Sequence, residues 1–329
     1  MTMSAGSAPT VTGLIYVSRL LTDRAMRHVH SLGAQVRIGS DAPPNRAELE
    51  AGIAGASAAI ITLTERIDAE LLAVAGPQLK VIANVAVGYD NIDLAAAEAA
   101  GVTVTNTPGV LDRASADHTF ALILDITRRI SEGDRLIRRQ KPWVWGPRML
   151  VGLDISAGAT LGILGYGRIG QAVARRAHAF DMTVIASSRS RTPGSVENGV
   201  TFVDTATLLA DSDVISVHTP LTPQTHHMID AAALRLMKPS AYLINTARGG
   251  VVDEDALIDA LHSGQIRGAA LDVYEGEPRV NPALLAAPGL VLTPHTASAG
   301  EATRDTMGIL AVDNAVAVLA GRAPLTPVR

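Results

Sequence analysis

No cysteine occurs among the 329 residues. Disulfides, thiolate nucleophiles and cysteine-based zinc or iron–sulfur sites are excluded with it. Aromatic residues make up only 3%, so the cores must be built from Ala, Val, Leu and Ile. Aromatic stacking platforms for single-stranded nucleic acid are equally scarce. Apolar runs are broken by charge or glycine within about 10 residues, short of the roughly 20 that a transmembrane helix needs. The N-terminal stretch lacks a basic lead-in, and its apolar run from Leu14 to Val17 is too short for a secretory signal. Its first dozen residues are expected to form a disordered leader. Neither charge sign dominates: 28 Lys and Arg against 32 Asp and Glu leave a net charge of −4, with no basic field for a phosphate backbone. A soluble, cytoplasmic protein is expected, with no nucleic-acid and no membrane partner.

What is present is apolar substance, 47% hydrophobic against 18% charged, which excludes extensive disorder. The length suits two domains. Short apolar runs alternate with helical patterns, the signature of parallel sheets covered on both faces. In the first part strands are expected at 13–18, 35–38, 58–63, 80–86 and 102–106, with helices at 23–32, 46–54, 69–75 and 94–100. One long helical pattern without proline follows at 114–139. A second α/β unit has strands at 160–164, 183–187, 214–218, 242–245, 268–273 and 290–293, and a final helix runs over 301–320. Pro/Gly punctuation at Asn106–Gly109 and Thr293–His295 marks two crossings. The expected architecture is therefore α/β, with two Rossmann-like or flavodoxin-like parallel-sheet domains. The dinucleotide-binding domain (108–296) is inserted within a substrate domain made of 1–107 and 297–329.

Gly165-x-Gly167-x-x-Gly170 lies between an expected strand and an amphipathic helix. The first glycine suits the tight turn, the second lets the backbone approach a pyrophosphate, and the third lets the helix pack on the strand. The helix then opens at Arg168 and Ile169 with free N–H groups and a positive dipole end toward the phosphates. An NAD site usually carries an acid about 20 residues further on. None occurs from Met182 to Ser195; Ser188, Arg189, Ser190, Arg191 and Thr192 stand there instead. Arginine with small hydroxyls holds a 2′-phosphate where an acid repels one, so NADP(H) is favoured over NAD(H).

Three side chains stand just past apolar runs of the second unit: Arg248, Glu277 and His295. Ligands of open α/β sheets bind beyond the carboxyl ends of the strands. A guanidinium can clamp a carboxylate in two places, an imidazole exchanges a proton at about pH 7, and a carboxylate can hold and tune that imidazole. Other histidines have plainer readings: His28 and His30 as surface residues, His178 and His262 as helix-face residues. His218, His226 and His227 fall near the cofactor-side loop. The adjacent pair has no acidic or histidine partner at ligand spacing, so no metal is expected.

Seven segments carry a resemblance: NVAVGYDNID (84–93), NTPGVL (106–111), GILGYGRIGQAVARRA (162–177), HTPLTPQTHHMID (218–230), MKPSAYLINTARGGVVDEDAL (237–257), ALDVYEGEP (270–278) and LTPH (292–295). With them the chain resembles the NAD(P)-dependent D-2-hydroxyacid dehydrogenases. The run ITLTERIDAELL (61–72), the VAVGYDN loop and Trp145-Gly146-Pro147 are most similar to the glyoxylate/hydroxypyruvate reductases. The resemblance implies that Arg248 binds the carboxylate and keto oxygen of a 2-oxo acid. It makes His295 the general acid in reduction, with Glu277 hydrogen-bonded to it. Amides around Val87 and Gly88 would hold the substrate carboxylate, with Leu63 lining that side. Thr219, Pro220, Thr246, Ala247 and Asp272 would lie along the cofactor. Trp145 would reach a neighbouring subunit's site, implying a homodimer. The product would be a D-2-hydroxy acid formed from glyoxylate or hydroxypyruvate. A sibling enzyme for phosphoglycerate, lactate or a bulkier acid, or a non-catalytic NAD(H)-sensing relative, are the alternatives. The family's usual Thr and acid in the 110–117 segment are replaced here by Asp112 and Arg113.

Overall fold

The computed structural model describes residues 12–328, so the expected leader falls almost wholly outside the described residues. The chain forms two compact units, Met1–Leu111 with Ala299–Arg329, and Asp112–Ser298. No helix among the described residues is long and apolar enough to cross a membrane.

In the first unit β1 (Leu14–Val17), α1 (Asp23–Ser31), β2 (Gln35–Ile38), α2 (Arg46–Ile53), β3 (Ala58–Ile61), α3 (Ala69–Ala75), β4 (Val81–Asn84), α4 (Leu94–Ala99) and β5 (Thr103–Thr105) alternate. Side chains of Thr22, Asn45, Asp68 and Asp93 cap the four helices, which is why each helix starts where it does. The sheet is parallel in the order β2-β1-β3-β4-β5. Every residue of β3 and β4 is buried, so these strands read as unbroken apolar runs instead of alternating ones. The chain reverses its winding between β1 and β3, the place where such sheets hold ligands.

The C-terminal helix (Glu301–Leu319) packs on α1, β3 and β4. Gly308 permits the close crossing, since an added Cβ would stand 2.6 Å from the Ala25 methyl. Asn314 in this helix is fully buried. Its amide donates to the Thr326 hydroxyl (2.8 Å) and its carbonyl accepts the Thr326 N–H (2.9 Å). Thr326 in turn donates to the Asn106 carbonyl at 2.6 Å. The tail is thereby stitched beside β5.

The second unit contains α5 (Asp112–Arg128), α6 (Ile130–Arg138), β6 (Thr160–Leu164), α7 (Arg168–Ala179), β7 (Thr183–Ser187), β8 (Val196–Glu197), β9 (Val200–Phe202), α8 (Thr205–Asp211), β10 (Val214–Val217), α9 (Ala231–Leu236), β11 (Tyr242–Asn245), α10 (Glu254–Ser263), β12 (Gly268–Leu271), α11 (Pro282–Ala286) and β13 (Leu290–Leu292). Its sheet order is β13-β12-β11-β10-β6-β7-β9-β8, parallel except for β8. One face buries Phe120, Ile123, Ala172 and Val173 from α5 and α7. The other buries Leu208, Leu234 and Leu257 from α8, α9 and α10. Strand β6 is central, and the chain reverses its winding between β6 and β10, so the crevice opens at the carboxyl ends of these two neighbours.

Two expectations need correction. The pattern at 114–139 is two helices, broken at Arg129, whose φ is +56°. The Thr127 carbonyl, which a continuous helix would give to Ser131, accepts the Leu153 N–H at 2.9 Å. Ser131 donates its N–H (2.6 Å) and its hydroxyl to the Asp125 carboxylate instead, and the ladder is cut there. The β8–β9 hairpin is an addition to the expected elements; it turns through Asn198 and Gly199, both at positive φ.

Removing the buried Asn314 amide leaves the Thr326 N–H without its acceptor, at a cost of about 1–3 kcal/mol. Asn314→Ala should lower the urea midpoint and speed amide exchange at 326–328 ahead of global unfolding. Unchanged exchange at the tail would show that the stitch is not what holds it.

Candidate active site

Side chains at the carboxyl ends of the second unit's strands build the site. Gly165 has φ +96°, and an added Cβ would lie 2.7 Å from the His218 carbonyl carbon. Its N–H donates to the Ser187 carbonyl at 3.0 Å. The ends of β6, β7 and β10 therefore meet at one glycine. A Cβ on Gly170 would lie 2.3 Å from the Gly165 carbonyl oxygen, whereas one on Gly167 would meet nothing within 4 Å. Helix α7 has no side-chain cap, so the first-turn amides at Arg168 and Ile169 keep their N–H groups for a ligand. The Thr219 hydroxyl is buried and has no partner among the described residues. Beside it, the Pro220 carbonyl accepts the Thr225 hydroxyl at 2.6 Å. An open cradle at Gly167, uncapped amides and an orphaned hydroxyl together fit a dinucleotide.

At the end of β7 the Ser188 and Ser190 hydroxyls lie 3.2 Å apart. Arg191 is tied to Glu197 at 2.6 Å. Arg189 is exposed and has no partner among the described residues.

Beyond β11, the buried Asn245 side chain accepts the Ala247 N–H (3.0 Å) and donates to the Arg248 carbonyl (2.9 Å). The backbone under Arg248 is thus fixed from both sides. The guanidinium also donates to the Ala247 carbonyl at 2.8 Å. Thr246 reaches α5, its hydroxyl 2.9 Å from that of Thr119. At Gly249 a Cβ would fall 1.9 Å from the Tyr274 carbonyl carbon. Only glycine lets the Arg248 segment lie against the turn that carries Glu277. Glu277 accepts the Tyr274 N–H on Oε1 at 2.9 Å and holds Nδ1 of His295 on Oε2 at 2.6 Å.

His295 adopts φ +54°, and the reason lies one strand away. Asp272 is fully buried. Its Oδ1 accepts the Thr293 hydroxyl (2.6 Å) and the Thr296 N–H (2.8 Å), and its Oδ2 accepts the Ala297 N–H (2.7 Å). His118 Nε2, from α5, lies 3.3 Å from Oδ1. The Asp272 carbonyl accepts the His295 N–H at 2.8 Å. Burial alone would push this carboxyl up, but the hydrogen bonds from His118, Thr293, Thr296 and Ala297 outweigh it and hold the group below the usual carboxylate range. Asp272, expected along the cofactor, is also the post around which the 293–297 loop is wound. The Tyr274 hydroxyl braces the same loop by donating to the Thr293 carbonyl at 2.9 Å, and burial pushes it up to about 12.

The histidines divide differently from expectation. His118, which the sequence does not single out, joins the site through Asp272. His28 is half-buried and pairs with Asp313 at 2.7 Å. His218 is bonded to the Ser216 hydroxyl at 2.8 Å, and burial pushes it down to about 4, so it is neutral at pH 7. His226 and His227 do have an acidic partner: the fold brings Glu275 to them.

The first unit's expected residues sit on two braced loops. Glu65 is a buried carboxylate that accepts the Ser18 hydroxyl (2.7 Å), the Thr62 N–H (2.5 Å) and the Thr64 hydroxyl (2.5 Å). It fixes the turn bearing Leu63. The Val87 carbonyl accepts the Asn106 amide and the Gly88 carbonyl the Asn84 amide, both at 2.8 Å. The Val87 and Gly88 N–H groups have no acceptor among the described residues, leaving two consecutive donors for an anion. Trp145 is 77% exposed beside Val144 at 88%. At the departure from the family pattern, the Arg113 carbonyl accepts Arg176, which also pairs with Asp117 at 2.6 Å.

Residues 120–297 match the family model described as the D-isomer specific 2-hydroxyacid dehydrogenase NAD-binding domain. The chain is 44% identical over 317 residues to a glyoxylate reductase of Thermococcus litoralis, covering 94% of this chain and 95% of that one. A crystal structure of a protein from Thermus thermophilus superposes with a TM-score of 0.90 at 44% identity, over 96% of this chain and 100% of that one. An NADPH-dependent glyoxylate/hydroxypyruvate reductase of Sinorhizobium meliloti, solved with NADP and malonate, gives a TM-score of 0.82 at 33% identity over 96% of each chain.

Because the Asp272 carboxyl is held low, its stabilisation is present above the unfolded value of about 3.9 and lost as pH falls through the folded value. Asp272→Asn should melt below wild type at neutral pH, and the gap should narrow below about pH 4. A gap independent of pH would mean that shape, not charge, supports the loop.

Proposed function

The chain belongs to the D-isomer specific 2-hydroxyacid dehydrogenases, a family of oxidoreductases, and we propose that it reduces glyoxylate or hydroxypyruvate to the D-2-hydroxy acid with NADPH. The observation that carries this reading is the 2.6 Å pair between Glu277 and His295 Nδ1, in a unit that also presents a dinucleotide loop. A bound nicotinamide dinucleotide supplies the hydride. With Nδ1 engaged by Glu277, Nε2 is the nitrogen left to give a proton to the developing alkoxide. Arg248, on its braced backbone, binds the substrate carboxylate and stabilises charge on the keto oxygen. The Val87 and Gly88 amides are donors suited to a carboxylate, and Leu63 lines the substrate. Gly165, Gly167, Arg168, Ile169, Gly170, Thr219, Pro220, Thr246 and Ala247 hold the cofactor.

The preference for NADPH rests on Arg189. Arg191 is occupied by Glu197, so Arg189 is the cation that meets a 2′-phosphate, with Ser188 and Ser190 as hydroxyl partners. The NADPH-dependent neighbour from Sinorhizobium meliloti supports the same choice.

Steady-state kinetics with glyoxylate and both cofactors test this. Arg189→Ala should weaken NADPH use roughly 10–100-fold while changing NADH use little, as a lost charge-assisted pair is worth about 1.5–3 kcal/mol. His295→Asn should cut reduction roughly 10²–10⁴-fold with cofactor binding retained. Equal losses for both cofactors would sink the first assignment, and an active His295→Asn enzyme the second.

We also propose a homodimer. Trp143, Val144, Trp145 and Val151 are all more than half exposed on one short segment, an apolar concentration that monomers rarely present. Sedimentation should give twice the 34.2 kDa chain mass, and Trp145→Ala should shift the population toward monomer. A fully active monomer would refute it.

A further inference from the structure

His226, His227 and Glu275 come from separate parts of the second unit and take no part in the chemistry described above. Two consecutive side chains in extended backbone point to opposite faces. Here they do not: the rings of His226 and His227 are stacked, 3.9 Å between centroids and 25° between planes. The backbone enforces this. His227 adopts φ +49°, a conformation unusual for histidine and expensive to keep. His226 donates its N–H to the Thr222 carbonyl and His227 to the Gly250 carbonyl, both at 2.9 Å. The Thr225 hydroxyl closes the turn, donating to the Pro220 carbonyl.

Both imidazoles aim at one oxygen. Glu275 Oε1 lies 3.0 Å from His227 Nε2 and 3.8 Å from His226 Nε2. The three ligand atoms all fall within 4.8 Å of one another. Ligands at zinc–nitrogen and zinc–oxygen bond lengths in a tetrahedron stand roughly 3.3 Å apart, so the two observed distances bracket the required edge. Glu275 is itself anchored, its N–H donating to Glu254 Oε1 at 2.8 Å. Asp253 Oδ2 stands 4.0 Å from His227 Nδ1, behind the ring, where a second carboxylate orients a metal-bound imidazole.

We infer that His226, His227 and Glu275 form a binding site for a divalent transition-metal ion of the zinc class. Two imidazoles and one carboxylate select zinc, nickel or copper over magnesium or calcium, which prefer all-oxygen sets. The ligands are part-exposed, so the ion enters from solvent and water completes its shell. A bare His227–Glu275 ion pair explains the 3.0 Å contact. It does not explain why the His226 ring is folded back onto the same oxygen at the expense of a left-handed residue. Glu275 shares its turn with Glu277, so the ion would also stiffen the backbone behind the His295 partner.

The test is calorimetric titration of the chelator-stripped full chain with zinc chloride, repeated with magnesium chloride. One zinc per chain is expected, with no magnesium binding at the same concentrations. His226→Ala and Glu275→Gln should each weaken zinc at least about tenfold. His295→Asn should bind as wild type does, which separates this site from the catalytic histidine and from the fate of the functional reading. Circular dichroism of each variant confirms that it is folded; His226 is exposed and its loss should not disturb the unit. No zinc binding at millimolar concentration, unchanged binding in both ligand variants, or loss of binding in His295→Asn would each overturn the inference.

Discussion

A single buried carboxylate organises the strand-end loops of the second unit. Asp272 draws in the hydroxyl of Thr293 and the amides of Thr296 and Ala297, and it meets His118 from α5. An ionised carboxyl in an apolar interior is costly unless its lone pairs are filled, and here donors from two chain segments fill them. The return for that burial is geometric. The 293–297 loop wraps the group with His295 at φ +54° and Nδ1 against Glu277. A left-handed non-glycine residue costs on the order of 1–3 kcal/mol, so the loop must be over-determined to hold it. Asp272, the Tyr274 hydroxyl and the Glu277 contact supply that over-determination.

Glycine sets where the strand-end loops can converge. Gly165 and Gly249 both lie where a Cβ would enter a neighbouring backbone, at 2.7 Å and 1.9 Å respectively. Backbone atoms cannot swing aside as a side chain can. The two glycines therefore fix which loops touch, and the polar side chains fix how each loop is oriented once it arrives.

Sequence alone carries most of the element map, because fully buried parallel strands are short unbroken apolar runs and most of the helices between them begin at Thr, Asn or Asp caps. Strands β2, β6, β7 and β11 fall at the expected residues. The break at Arg129 is not readable, since it depends on Leu153 taking the Thr127 carbonyl from a later segment. The β8–β9 hairpin does have a local signal, the Asn198–Gly199 dipeptide, but its strands are too short to show a period. His118 sits inside a helical pattern that accounts for it as a helix residue, and only the fold reveals Asp272 beside it. Likewise, nothing in the spacing of His226 and His227 announces Glu275, which is 48 residues from His227 along the chain. The glycine loop, by contrast, is readable in full, because the demands on each of its three positions are local.

The discontinuity of the first unit has a consequence for biosynthesis. Its sheet is complete in strands by Thr105, yet β3 and β4 lack the helix that covers one face until Glu301–Leu319 has been made. At about 5–20 residues per second the ribosome needs roughly 10–40 s to make the intervening unit. During that interval the inner unit, contiguous in sequence, can close while the outer one still shows an Ala- and Ile-rich face to solvent or to a chaperone. The helix and tail made after the inner unit are thus the parts that end the exposure of the first sheet, and the Asn314–Thr326 stitch fastens a structure begun at Leu14.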